Sequence, residues 1–130
     1  RGRAPVGVPP CDAARLGPLI DTDALATLYR GKVGLLTRVG REFVSSVPEQ
    51  LEALSAAMGQ GDLAVCERVA HTLKGNAAMF GAGAMRSLAA EAELAAAAGD
   101  VERFKTLAPA LTDACQAVAT GMGEFLCRLE

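Results

Sequence analysis

The chain is predicted to fold as an all-α protein, an up-down antiparallel four-helix bundle with a short extra N-terminal helix. Three observations carry that prediction. Beyond residue 18, apolar residues recur at steps of three and four, the spacing of a single helix face. The periodic stretches are separated by glycine-containing turns of a few residues, and connections that short oblige consecutive helices to run antiparallel. Hydrophobic residues make up 51% of the sequence but aromatics only 4%, with no Trp, so the core must be assembled from Leu, Val, Ala and Met. Closely packed helices suit that composition.

Residues 1–18 hold four of the six prolines together with glycines, a composition that resists regular structure and reads as a flexible arm or linker. Residues 19–130 are expected to form one domain around one core. Asp21 or Thr22 can cap a short helix running to Tyr29 and Arg30, with Gly31 ending it in a left-handed conformation. From about residue 32 to residue 58, Leu36, Val39, Phe43, Val47, Leu51, Leu54 and Met58 line one face of a long helix, which Pro48 is expected to kink. Gly59-Gln60-Gly61 stops it. Asp62 can cap the next helix, whose stripe is Leu63, Cys66, Ala70, Leu73, Ala77 and Phe80, closed by Gly81-Ala82-Gly83.

A third long helix follows from about residue 84 to 98, through Met85, Leu88, Ala92 and Ala95, and ends at Gly99. Asp100 can cap the last helix, over about 101–129. Its stripe is Phe104, Leu107, Leu111, Cys115, Val118, Met122, Phe125 and Leu129, and Pro109 is expected to kink or break it. Met79, Met85 and Met122 read as core filler at helical spacing. One bundle accounts for the apolar stripes, so a monomer is expected.

Thirteen Lys and Arg stand against fifteen Asp and Glu, a net charge of -2, which gives no field suited to nucleic acid or to direct contact with an anionic membrane. Any partner must be recognised locally. No run of about 18 apolar residues is long enough to span a bilayer and no apolar leader opens the sequence, so a cytoplasmic location is expected. Cys11, Cys66, Cys115 and Cys127 lack C-x-x-C spacing and read as free thiols with structural roles. A metal site is not expected, because His71 is the only imidazole and Cys66 lies about 140° away around the helix.

His71 is therefore the residue most suggestive of chemistry. With Leu63 at zero, the apolar stripe of its helix centres near about -40° and His71 falls near about +80°, so the imidazole points away from the core. Ala64, Glu67 and Arg68 lie on that side one turn or two before it, and Lys74, Gly75 and Ala78 follow it. An imidazole partly unprotonated near neutral pH can act as a nucleophile, and Lys74 can offset the charge of a phosphoryl group attached to it. Gly75 within a helix costs about 1 kcal/mol relative to Ala, and no predicted core contact needs the space. Its bare backbone would admit another protein's reactive carboxylate to the imidazole. Glu67, four residues earlier, is the candidate to hold one ring nitrogen and leave the other for attack.

The segment Ala70-His71-Thr72-Leu73-Lys74-Gly75-Asn76-Ala77-Ala78-Met79-Phe80-Gly81-Ala82 resembles the signature of histidine-containing phosphotransfer (HPt) domains, the relay modules of multistep two-component signalling. Phe43, Gly61-Asp62, and Glu93 followed by Gly99-Asp100 extend the resemblance, which covers roughly residues 21–129. It implies that His71 accepts a phosphoryl group from the aspartyl phosphate of a receiver domain and passes it to another response-regulator receiver. Lys74 and Gly75 take the positions that neutralise the phosphoryl group and give access to it, and Ala64, Glu67, Arg68 and Ala78, which share the outward face with His71, are the candidates for the partner's footprint. The resemblance further implies a carrier with no kinase site, ATP site or cofactor of its own, the magnesium ion belonging to the partner receiver. A sensor or hybrid histidine kinase is the expected further partner, and the domain can itself be part of a larger membrane-associated kinase. The sequence departs from the family at Ala92, where a larger aliphatic is more frequent, and over residues 95–98, which lack a frequent basic side chain. These departures bear on docking.

Two other readings make different demands. A helical docking module for receivers or a kinase would need no phosphorylation, as in degenerate family members that have lost the histidine or lysine, whereas both are present here. The phosphoacceptor domain of a chemotaxis-type kinase would use the same histidine. An enzyme with its own turnover would need a pocket and further acid-base groups, and the sequence offers none.

Overall fold

Among the described residues five helices follow one another in the order that the periodicity predicts: α1 Thr22–Leu28, α2 Val33–Gln60, α3 Leu63–Met79, α4 Gly83–Ala97 and α5 Val101–Leu129. The computed structural model describes Ile20 and residues 22–129. The expected arm over residues 1–18, Cys11, the side-chain cap from Asp21 or Thr22, and the side chain of Leu129 lie outside what is described.

Two of the turns use the same device. Gly61 and Gly99 adopt φ of 72° and 76°, a left-handed conformation that an L side chain rarely takes. That geometry turns the next amide back onto the helix just ended: Asp62 N–H donates to Ala57 C=O at 2.8 Å, and Asp100 N–H to Ala95 C=O at 2.8 Å. Each aspartate then opens the following helix, its Oδ1 accepting from Val65 N–H at 3.2 Å or Arg103 N–H at 3.1 Å. A Gly-Asp pair thus ends one helix and starts the next within two residues, which leaves the chain no route except back along its predecessor.

The principal helix contacts run α2 to α3, α3 to α4, α4 to α5 and α5 back to α2, a closed ring of four. Inside it lie Phe43, Val47, Leu54, Leu73, Phe80, Met85, Phe104, Leu111, Val118, Met122 and Phe125, all buried. The Phe43 and Phe80 rings meet with centroids 5.2 Å apart and planes inclined at 45°, a tilted aromatic contact that sets α2 against the end of α3. Ile20 and Leu25 bring α1 onto the same core. Cys66, Cys115 and Cys127 are free thiols, and burial pushes the Cys115 thiol up to about 12, so it serves as a small apolar filler.

The structure decides between the two outcomes open at Pro109 and corrects one expectation. α5 continues as one helix through Pro109, so the chain does not break there, and α2 continues through Pro48. Both prolines are exposed, where water can satisfy the carbonyl that loses its helical partner while the buried side of each helix keeps its bonds. Met79 is 40% exposed rather than core filler. Its wheel position lies about 160° from Leu63, nearly opposite the apolar stripe.

The α3 to α4 interface bears most directly on the outward histidine. Ala70, Ala77, Ala89, Ala92 and Ala96 are all buried on these two helices, and side chains that small let the backbones approach closely. Ala92 is completely buried, so this departure from the family pattern concerns helix packing and not the docking surface.

Candidate functional site

His71 lies midway along α3 with its side chain 67% exposed, on the outward side that the helical wheel assigns to it. The close α3 to α4 packing supplies its partner. Glu93, in the third turn of α4, places its Oε2 2.9 Å from His71 Nδ1, within hydrogen-bond distance. The second oxygen, Oε1, lies 2.7 Å from Lys74 Nζ. One carboxylate therefore bridges the imidazole and the ammonium and fixes both relative to α4.

The three side chains form a graded cluster, with Glu93 20% exposed, Lys74 35% and His71 67%. The hydrogen bond from Lys74 lowers the Glu93 carboxyl below its ordinary range; partial burial opposes that shift, and the hydrogen bond with His71 reinforces it. The sign is that of a stabilised anion. Glu93 is a carboxylate at neutral pH, and its two links weaken only as pH falls below the ordinary range of a glutamate.

An ionised carboxylate can only accept, so in the neutral ring the proton on Nδ1 donates to Glu93 and the lone pair resides on Nε2. Nε2 is therefore the ring nitrogen with a lone pair able to act as a nucleophile, on an exposed imidazole with a cation three residues along the same helix. Positive charge appearing on the ring when Nε2 forms a bond is met by the anionic Glu93 on the other side.

Gly75, one turn after His71, is exposed, and a Cβ built there meets nothing within 4 Å. Among the described residues no contact requires the missing side chain. Ala64, Arg68 and Ala78 are exposed and Glu67 is half-buried, so the face around the imidazole consists of small side chains with charges among them. Thr72 Oγ1 donates to Arg68 C=O at 3.1 Å, a local bond within α3.

The partner expected for the ring was Glu67, and here the structure differs: Nδ1 is held by Glu93. A residue four positions earlier on the same helix shares a face with the imidazole, but the neighbouring helix brings a carboxylate across the groove to the ring edge. Sequence periodicity alone treats Glu93 as one charge beside the α4 stripe. The usable signal was the short turn after α3: His71 and Glu93 lie nearly the same number of residues on either side of it, so an antiparallel pair brings them level.

The sequence model of the Hpt domain family matches residues 39–121, a span that runs from α2 into α5 and includes His71, Lys74, Gly75 and Glu93. No curated protein and no solved structure matches the chain.

Proposed function

Because the chain belongs to the Hpt domain family, the histidine phosphotransfer modules of phosphorelay signalling, we propose that His71 is the phosphoacceptor of a carrier that moves a phosphoryl group between response-regulator receiver domains. In this reading Nε2 attacks the phosphorus of a receiver's aspartyl phosphate in line. The new N–P bond takes the nitrogen lone pair while the P–O bond to aspartate breaks and the electron pair leaves with the aspartate carboxylate. The ring keeps its Nδ1 proton and becomes cationic, and Glu93 stabilises it through the hydrogen bond already in place. Lys74, on a flexible stem, offsets the phosphoryl charge. The reverse sequence loads the next receiver.

The chain's own part is to hold and present the group, with phosphorylation supplied from outside and the magnesium ion belonging to the partner receiver. A sensor or hybrid histidine kinase stands upstream of the exchange. The observation that carries the reading is the exposed imidazole whose Nδ1 is tied to a carboxylate shared with Lys74. The test is incubation of the purified chain with phosphorylated receiver domains, followed by assay for acid-labile, alkali-stable phosphate on the chain. Absence of such label with every receiver tried would leave a docking module in its place.

Glu93 gives a graded prediction. Glu93→Gln keeps an acceptor for Nδ1–H but cannot neutralise Lys74 or the cationic ring, whereas Glu93→Ala loses both functions. Transfer rates are expected to fall in the order wild type, Gln, Ala. The Ala variant should lose roughly 10- to 100-fold, since a hydrogen bond to a charged group is worth about 1.5–3 kcal/mol. Single-turnover transfer from a phosphorylated receiver measures this, and equal rates for all three proteins would remove Glu93 from the chemistry.

Gly75→Leu separates access from stability. A Cβ there meets nothing within 4 Å, and replacing a helical glycine should raise stability by up to about 1 kcal/mol. Transfer from a receiver is nonetheless expected to fall by at least roughly tenfold, because the added side chain stands where the partner's backbone must approach. Wild-type transfer in this variant would show that the glycine is not there to admit a partner.

A further inference from the structure

Resting on the carrier reading of His71, we propose that the outer ridge of α4 forms the second half of the receiver's footprint, with Leu94 as the apolar contact that sets affinity and Arg86 as the charge that steers approach. Two polar contacts fix which way that ridge faces. Glu93 is turned to α3, where its oxygens meet His71 and Lys74, and Glu91 is turned to α5, where its Oε1 lies 2.8 Å from Arg103. With Glu93 at zero and about 100° per residue, Glu91 falls near about 160° and Leu94 near about 100°. Leu94 therefore projects between them, away from both neighbouring helices. It is 70% exposed, the most exposed large hydrophobic side chain among the described residues.

Ala97, Ala90 and Ser87 fall on the same arc, near about 40°, 60° and 120°, so no carboxylate stands on the ridge between Glu93 and Glu91. Ala97 and Ser87 are exposed and Ala90 is half-buried, which leaves Leu94 as the one large apolar side chain there. Arg86, seven residues before Glu93, stands near about 20°, at the margin toward α3. It is exposed, and no ion pair joins it to a described residue.

The occupant follows from the ridge's position beside the imidazole. Leu94 is the residue after Glu93, so it lies about 1.5 Å along the axis from the residue that holds the ring, on a helix whose axis is about 8–10 Å from that of α3. A protein interface of standard size covers about 800 Å² on each partner, a patch about 30 Å across. A receiver that brings its aspartyl phosphate to Nε2 therefore cannot seat itself on α3 alone. The ring leans toward α4, where its Nδ1 is bonded, and the exposed ridge beside it comes under the partner. The incoming group is an anion, and Arg86 lies about 10 Å along the axis from Glu93, near enough for an exposed cation to favour its approach.

The test measures single-turnover transfer from a panel of phosphorylated receiver domains, as a function of receiver concentration, for wild type, Leu94→Ala, Leu94→Met and Arg86→Glu. For the receiver that transfers fastest to wild type, Leu94→Ala is expected to raise the half-saturating concentration roughly tenfold and to leave the saturating rate within about twofold, because truncation removes apolar area buried only on docking. Leu94→Met keeps that area and should restore wild-type saturation. Arg86→Glu should slow transfer at low salt, with the gap closing at high salt. Phosphoramidate, a small phosphodonor that needs no protein docking, should label all four chains alike. Unchanged half-saturation in Leu94→Ala with every receiver would overturn the footprint while leaving the carrier intact, and wild-type rates in Arg86→Glu at low salt would remove the steering charge. A fall in the saturating rate alone, or in phosphoramidate labelling, would mean that Leu94 acts by positioning Glu93 and would equally overturn it. A concentration-dependent dimer in sedimentation that Leu94→Ala abolishes would give the ridge to a second copy instead. If neither phosphoramidate nor any receiver labels His71 in wild type, the carrier reading itself fails, and the footprint with it.

Discussion

His71→Gln is expected to carry no acid-labile phosphate after incubation with any phosphorylated receiver, while its thermal and urea unfolding match wild type. Glutamine is near the histidine in size and can still hydrogen-bond to Glu93, but its amide nitrogen offers no lone pair able to attack phosphorus. The fold should be indifferent, because the side chain is 67% exposed and such surface substitutions usually change stability by no more than about 0.5 kcal/mol. Phosphate assay on the intact chain, with peptide mapping, is the direct measurement. Retained label would move the acceptor elsewhere, and loss of label accompanied by unfolding would make the variant uninformative about chemistry, which is why both readouts belong together.

Phe80→Ala is expected to destabilise the chain by about 3–5 kcal/mol, as truncation of a buried aromatic does. Phe80 is 1% exposed at the C-terminal end of α3 and its ring lies against Phe43, so the change removes both the buried area and the aromatic contact that sets α2 against α3. Equilibrium urea unfolding, with the slope compared between variant and wild type, measures the loss. A change under about 1 kcal/mol would mean that the α2 to α3 packing is held by other contacts. Because the transition state of transfer involves neither ring, phosphorylation of the variant under folding conditions should persist, which distinguishes this substitution from His71→Gln.

The helical architecture was legible because each α-helix repeats its own apolar spacing, and because two Gly-Asp pairs mark where one helix ends and the next begins. The outward direction of His71 followed from the same geometry, since a helical wheel needs only sequence. Met79 shows the limit of reading by residue type: its hydrophobicity suggested the core, although its wheel position pointed outward. The prolines show another. Local rules leave a kink or a break open at Pro109, and packing of the residues on either side, with the proline turned to water, holds α5 in one piece.

What the sequence by itself determined is the set of helices, their antiparallel order and the exposed histidine with its lysine and glycine, all of which depend on spacings of a few residues along one chain. Only the tertiary structure decided which carboxylate serves the imidazole. Glu67 and Glu93 are both glutamates near the right level of the bundle, and the choice rests on how closely two helices approach across buried alanines. That separation is set by the summed packing of side chains distant in sequence, so no local spacing encodes it. The result is one carboxylate between His71 and Lys74, which leaves Nε2 as the open nitrogen.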